Sequence, residues 1–346
     1  MKLATLQDGS RDGQLVVVSR DLATAHYATG IAHRLQQVLD DWGFMAPQLQ
    51  DLADRLDAGR ARHAFAFDPA QCLAPLPRAF ERVEGRAWPS PGDAAGAVDG
   101  AVPTLHARVG ELLGPCHPIE VASEAMGIDF GAGLAVVTGD VRRGATPAQA
   151  LEGVRLVLLV NDLRLHRVLA AGSDRGAALQ LQGRPATAFG PVAVTPDELG
   201  GAWRDGRAHL TLQTVWNGRK VGQCDTGEDM RRHFGELVAQ LAATRPVRAG
   251  TLVGGGTVGH PGVVRKDGRT DWPRGHAGIA ERRAAETLRD GRPTTEFMHF
   301  SDTVRIEAKG PDGRSVFGAI EQEVMPSDSD IVETPEVRNA AEQRQT

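Results

Sequence analysis

Asp162 and His166 are the pair of side chains in this sequence best suited to acid–base work. Four residues apart, they would share one face if that stretch is helical, where a carboxylate and an imidazole can pass a proton between them and a substrate. Cys116, His117 and Glu120 place sulfur, nitrogen and oxygen close together and could hold a metal ion, but a histidine beside Pro118 in a loop is the weaker candidate. The run Gly254-Gly255-Gly256-Thr257 is the nearest approach to a phosphate cradle. With no Lys-Ser/Thr and no helix start after it, a tight strand exit is the expected role. Sharper signatures are absent: no His-Glu-x-x-His, nucleophile elbow, Walker loop or dinucleotide fingerprint occurs. Cys72, Cys116 and Cys224 are far apart and odd in number, which predicts free thiols.

Local patterns suggest the elements that must position these groups. Residues 2–6 and 14–19 are short β-type runs around the turn-rich residues 8–13, an opening hairpin. Ile31, Leu35, Val38, Leu39 and Trp42 repeat at helical spacing before Gly43, a candidate C-cap, and Leu49, Leu52 and Leu56 continue as a second amphipathic helix. Residues 81–118, dominated by Gly, Ala, Pro and Asp, show no sustained period and predict a long loop or linker. Thr146-Pro147 and Thr195-Pro196, the latter with Glu198 completing a capping box, each open a short helix. Asn217-Gly218 supplies the positive φ angles of a type I′ hairpin turn between residues 209–216 and 219–221. A helix carrying Phe234, Leu237, Val238 and Leu241 follows, and late strands at 304–308 and 316–320 pair around residues 310–313.

Composition narrows the class. Over 346 residues, 41% hydrophobic and 24% charged side chains are ordinary for a globular protein, and the length suggests two domains. With 41 glycines and 20 prolines, the chain should be rich in turns and strands. A net charge of −5 without any basic block argues against nucleic acid as a partner. The opening residues hold no apolar stretch suited to a signal peptide or a membrane span, which points to the cytoplasm and away from membranes.

Several segments, taken together and in order, resemble the fumarylacetoacetate hydrolase family. They are Asp12-Gly13-Gln14-Leu15-Val16-Val17-Val18-Ser19, Gly127-Ile128-Asp129-Phe130, Leu159-Val160-Asn161-Asp162, the stretch from Ala188-Phe189-Gly190-Pro191 to Gly200, Gly256-Thr257-Val258, Ile279-Ala280-Glu281-Arg282-Arg283 and Phe317-Gly318-Ala319-Ile320. The resemblance implies an α+β protein: a small α/β N-terminal domain at 1–77, a linker at 78–118, a mixed β-roll catalytic domain at 119–325 and a polar tail at 326–346. It also implies a homodimer and, as small-molecule partner, a keto acid or β-dicarbonyl. The family's chemistry uses Mg²⁺ or Ca²⁺, chelated by both substrate oxygens and acting as a Lewis acid on the enolate.

By that resemblance the ion is held by a Glu-x-Glu pair in the strand after Gly-Ile-Asp-Phe, and here those places are Gly131 and Gly133. A further upstream carboxylate has no counterpart between Trp88 and Gly114, leaving Asp162 as the single match to a ligand. One carboxylate cannot cage a hard cation that wants six or more oxygens, so no cofactor is expected. Arg184, before Pro185, stands near the family's lysine; it keeps the charge and adds a fork suited to a carboxylate. Thr257 and Glu281 match positions near the substrate, although Glu281 reads equally well as an exposed helix acid. The two glycines would leave space for a bulkier or uncharged ligand. Three readings stand at this point: a metal-independent enzyme on an enolisable acid using Asp162, His166, Arg184 and Glu281, a non-catalytic binder, and a metal-dependent hydrolase with replaced ligands. The first is favoured, because Asp162 and a cation beside Pro185 persist while the cage does not.

Overall fold

The opening hairpin forms as Lys2–Leu6 against Gln14–Val18, antiparallel, with Lys2 opposite Val18 and Leu6 opposite Gln14. In the computed structural model, which describes residues 1–91, 93, 105–108, 110–171 and 181–327, the strands of the N-terminal domain run directly into those of the C-terminal domain. Lys2 pairs with Val194 and Leu3 with Ala193. Among the described residues this gives one twelve-stranded sheet, a five-stranded sheet and three two-stranded ribbons.

The middle of the large sheet is Ala132–Thr138, flanked by Val154–Asp162 and Thr251–Thr257. Every residue of Ala132–Thr138 is buried, as expected of a strand covered on both faces. One face packs Val136, Leu159 and Val253 with Leu212, Ile306, Phe317 and Ile320 of the five-stranded sheet. The other packs Val137, Leu158 and Leu252 with Leu35, Val38, Leu49, Leu52 and Leu56. Those leucines come from the helices Leu35–Asp40 and Trp42–Asp57, so their 3.6-residue period is the stripe that covers the sheet. The architecture is the expected α+β class. No helix among the described residues is long and apolar enough to cross a membrane.

The Asn217-Gly218 turn has φ of 48° and 72° at its two central residues, and it joins Thr211–Trp216 to Arg219–Asp225 as the dipeptide predicted. Elsewhere the structure departs from local expectation. Gly43 is no C-cap: the helical conformation is interrupted at Asp41, and Gly43 lies in the first turn of Trp42–Asp57. Thr195 does not cap a helix, because its hydroxyl accepts from the Met1 amino group at 2.7 Å, while Glu198 reaches Arg20 and a 3₁₀ segment, Pro196–Ala202, forms instead. The triple glycine is not a strand exit. Thr251–Thr257 continues through it, with an irregularity between Gly133 and Ala135 on the neighbouring strand and φ of 84° at Gly256.

The stretch expected as a linker corrects most usefully. Glu81–Glu84 is a strand parallel to Thr251–Thr257, His106–Ala107 extends the same sheet edge, and Glu111–Leu113 pairs with Ala186–Phe189. No local period marks these pieces; pairing with distant strands creates them. Residues 92, 94–104 and 109 of the expected linker and 328–346 of the expected tail lie outside the described residues.

Candidate functional site

Adjacent strands of the large sheet bring the site together. Asp162 ends Val154–Asp162, and its N–H donates to the Gly131 carbonyl at 2.9 Å. In register, Gly133 faces Thr257, Gly254 faces Glu84, and Asp162 faces Thr187. Asp162 is 4% exposed. Its Oδ1 accepts from Thr187 Oγ1 at 2.9 Å and from Arg82 Nη2 at 3.0 Å, and its Oδ2 accepts a short bond from Arg184 Nη1. Arg164 Nε lies 3.8 Å from the same Oδ2. Glu84 accepts from Arg108 Nε at 2.7 Å and lies 3.7 Å from Arg184 Nη1. Glu281 accepts from Arg164 Nη1 at 3.0 Å.

Arg82, Arg108, Arg164 and Arg184 are thus threaded among the carboxylates of Asp162, Glu84 and Glu281, all largely buried. Burial by itself would raise the Asp162 pKa, but Arg184, Arg82 and Arg164 outweigh it and hold the group below its usual value of 3.8. For Arg164, burial favours the neutral form, yet Glu281, Asp129 and Asp162 together raise its pKa further, so it stays a cation.

The two glycines do not leave the space expected of them. A Cβ at residue 131 would lie 2.3 Å from Arg164 Nη2 and 3.0 Å from Thr257 Oγ1, and a Cβ at 133 would lie 2.3 Å from the Gly256 carbonyl oxygen. The guanidinium of Arg164 covers Gly131, and the backbone of the glycine bulge presses on Gly133. What remains between Arg82, Glu84, Gly131, Gly133 and Asp162 is a cavity of about 20 Å³, room for about one water. Among the described residues, four buried polar atoms of this region have no hydrogen-bond partner: Thr257 Oγ1, Glu281 Oε2, Arg164 Nε and Arg184 Nε.

Gly131 is also tied from behind. Its N–H donates to Asn161 Oδ1 at 3.1 Å, Asn161 Nδ2 donates to Gln322 Oε1 at 2.9 Å, and Gln322 Nε2 donates to the His117 carbonyl at 2.7 Å.

His166 does not pair with Asp162. Arg164–Leu165 is a further short strand and the helix His166–Ala171 starts only after it, so Asp162 and His166 share no helical face. His166 Nε2 instead meets Asp129 Oδ2 at 2.7 Å, and its ring stacks on Phe297 at 5.3 Å. Asp129, fully buried, also accepts from the backbone N–H groups of Ile279 at 2.7 Å and Ala280 at 3.1 Å. It therefore anchors the start of the helix Ile279–Asp290, whose third residue is Glu281. Glu281 is accordingly an inward-facing acid, its side chain 12% exposed, and not the solvated helix acid that its neighbours suggested.

Asp162, Arg184, Thr257, Glu281, Gly131 and Gly133 are thus gathered in one place, and His166 joins them through Asp129. Sequence reasoning missed Arg82, Glu84, Arg108, Arg164, Thr187 and Asp129. Arg164 carried a signal, two residues beyond Asp162; Arg82 and Glu84 show the same alternation inside the supposed linker.

The fit to Mg²⁺ or Ca²⁺ fails on the donor set. The carboxylates of Asp162, Glu84 and Glu281 each accept from a guanidinium, and residues 131 and 133 offer no side-chain atom. Among the described residues no group of three or more His, Cys, Asp or Glu is placed to hold a metal ion. Cys116 and His117 form no such site either: Cys116 is an exposed free thiol, and His117 Nδ1 accepts from the Gly114 N–H at 3.2 Å.

Comparison with known proteins gives a consistent picture. Residues 1–78 match the fumarylacetoacetase N-terminal domain 2 model, and residues 95–325 match the fumarylacetoacetate (FAA) hydrolase C-terminal model. No curated protein matches in sequence. Among solved structures, a fumarylacetoacetate hydrolase from Exiguobacterium antarcticum is similar with a TM-score of 0.64 and 18% identity, over 94% of this chain and 100% of that one. A 2-hydroxyhepta-2,4-diene-1,7-dioate isomerase from Mycobacterium marinum gives a TM-score of 0.57 and 16% identity over 95% and 100%. A maleylpyruvate hydrolase from Sphingobium sp. SYK-6, in complex with manganese(II) ion and pyruvate, gives 0.60 and 14% over 95% and 100%. At these identities the likeness concerns the fold.

Proposed function

The chain belongs to the fumarylacetoacetate hydrolase family, and on that premise we propose that it acts on an enolisable keto acid or β-dicarbonyl acid without a divalent metal ion. The observation that carries this reading is a set of buried polar atoms without hydrogen-bond partners, Arg164 Nε, Arg184 Nε, Thr257 Oγ1 and Glu281 Oε2, on side chains gathered around Gly131 and Asp162. Buried polar groups are normally paired, so a cluster of unpaired ones is where a polar ligand would gain most. Relatives of the same fold that act on keto and hydroxydienoic acids, one of them in complex with pyruvate, support the substrate class.

Each side chain has a part in that reading. Guanidinium N–H groups of Arg184 and Arg164 donate to the substrate's carboxylate and carbonyl oxygen, where charge-assisted bonds are strongest. Glu281 Oε2 takes the proton from the carbon next to the carbonyl, the electron pair moves onto the carbonyl oxygen, and the guanidinium and the Thr257 hydroxyl hold the enolate. Reprotonation at carbon completes the cycle, with the same proton or, once the Glu281 carboxyl has exchanged with solvent, with a deuteron from D₂O. Asp162 is not the base, because its oxygens already accept three bonds and its pKa is lowered; it holds the guanidinium groups in place.

The small cavity favours a second reading. With about 20 Å³ in place, a keto acid enters only if Arg164 or Arg184 swings aside, and a protein that binds without turning over would show the same geometry. Pyruvate in D₂O with excess chelator separates the two. Loss of the methyl proton signal, accelerated by the protein and abolished by Glu281→Gln, is expected. Saturable binding without exchange establishes the second reading, and neither binding nor exchange, or exchange that needs added Mn²⁺, overturns the first.

A further inference from the structure

We propose that Arg164 is the resident cation of this site: its guanidinium fills the space over Gly131, where the family resemblance puts a metal-ligating carboxylate, and it excludes divalent ions from the pocket. The proposal deepens the metal-free reading above but is tested without substrate. Its steric half rests on the 2.3 Å that would separate a Cβ at residue 131 from Arg164 Nη2, with 3.0 Å to its Cζ. Real side chains do not approach so closely, so an arginine in this pose and any residue larger than glycine at 131 are mutually exclusive. On this proposal Gly131 and Arg164 form one exchange: a cation reaching across from Arg164–Leu165 takes the place that the resemblance gives to an acid at 131.

The electrostatic half rests on what Arg164 touches. Nη1 bonds Glu281 at 3.0 Å, Nε stands 3.8 Å from Asp162, and Asp129 is its partner in strand register. These are the negative charges nearest to Gly131 that a divalent ion would seek. The positive charge of Arg164, its side chain 8% exposed, stands among them, adding to Arg82 and Arg184 on Asp162 and to His166 on Asp129. A second cation would meet like-charge repulsion at short range in a poorly solvated place. A guanidinium also differs from an ion in what it offers: directed N–H donors for a planar carboxylate or enolate in place of an open coordination sphere.

The test is Mn²⁺ titration followed by water-proton relaxation, with the parent, Arg164→Ala and Arg164→Lys. The parent should bind no Mn²⁺ in the pocket, Arg164→Ala should bind it at least about tenfold more tightly than the parent, and Arg164→Lys, which keeps the charge, should match the parent. One Mn²⁺ per parent chain, displaced by pyruvate, overturns the proposal, and so does a folded Arg164→Ala protein with no gain. Should Arg164→Ala not fold, the steric half decides on its own. Gly131→Ala should lower Tm by about 5 °C in the parent and by much less in an Arg164→Met background. An equal drop in both backgrounds refutes the exchange. Failure of pyruvate exchange with these metal results intact would sink the proposed function and leave the role of Arg164 standing.

Discussion

Asp162 accepts from Thr187, Arg82 and Arg184 in a nearly dry setting, so removing its charge strands two guanidinium groups. Asp162→Asn should therefore cost about 3 to 5 kcal/mol of stability by urea unfolding, as breaking buried ion pairs does. Arg184→Met should lower stability too, which the sequence alone did not foretell, since a loop arginine before Pro185 gives no hint that its partner is Asp162. A separate titration lies at His276, whose pKa falls from 6.5 to about 4 through burial, reinforced by His260 and Arg282. A base with a depressed folded-state pKa binds fewer protons than the unfolded chain does, so its share of stability is intact above pH 6.5 and lost as pH falls toward 4. His276→Phe should flatten the change in urea midpoint between about pH 7 and about pH 5; an unchanged slope would place that pH dependence elsewhere. At this scale Asp162, Thr257 and Glu281 were legible because each lies in a family-like block. Arg164 was legible only in its alternation with Asp162, because its meaning depends on a glycine thirty-three positions earlier.

Elements whose signals are local were legible, such as the Asn217-Gly218 hairpin and the leucine stripe of Trp42–Asp57. Elements made by distant partners were not. Glu81–Glu84 owes its existence to Thr251–Thr257, and through that pairing a supposed linker delivers Arg82 and Glu84 to the site. The helix Ile279–Asp290 is held at its start by Asp129, not by a residue of its own N-terminus. Asp129→Ala should raise the hydrogen-exchange rates of the Ile279 and Ala280 amides and destabilise the protein by about 1 to 2 kcal/mol, the usual worth of a helix cap. Amide protection unchanged from the parent would mean that packing, not the carboxylate, fixes the helix that carries Glu281.

Across the whole molecule, the N-terminal and C-terminal domains share a sheet through Lys2 and Val194, and they share a hydrophobic cluster that includes Leu3, Leu15, Val137 and Leu252. Composition suggested two domains, but it could not show that they are stitched by hydrogen bonds between strands. The buried thiols Cys72 and Cys224 report on the two halves, and Cys116 is exposed from the outset. In pulsed thiol labelling across a urea series, Cys72 and Cys224 should become reactive at the same midpoint, the mark of one cooperative unit. Midpoints that separate would show that the shared sheet does not couple the domains.

The amide relay behind Gly131 has a sense of direction. Every donor in the run from Gly131 N–H through Asn161 and Gln322 to the His117 carbonyl points the same way, so each amide fixes the rotation of the next. Deamidation of Asn161 would erase that polarity by exchanging the donor Nδ2 amino group for an oxygen. Carboxylate oxygen would face Gln322 Oε1, Gln322 would have to turn over to supply a donor, and its own oxygen would then confront the His117 carbonyl. A one-atom chemical lesion in the core would thus be felt at the loop beside Cys116, as two acceptors forced together.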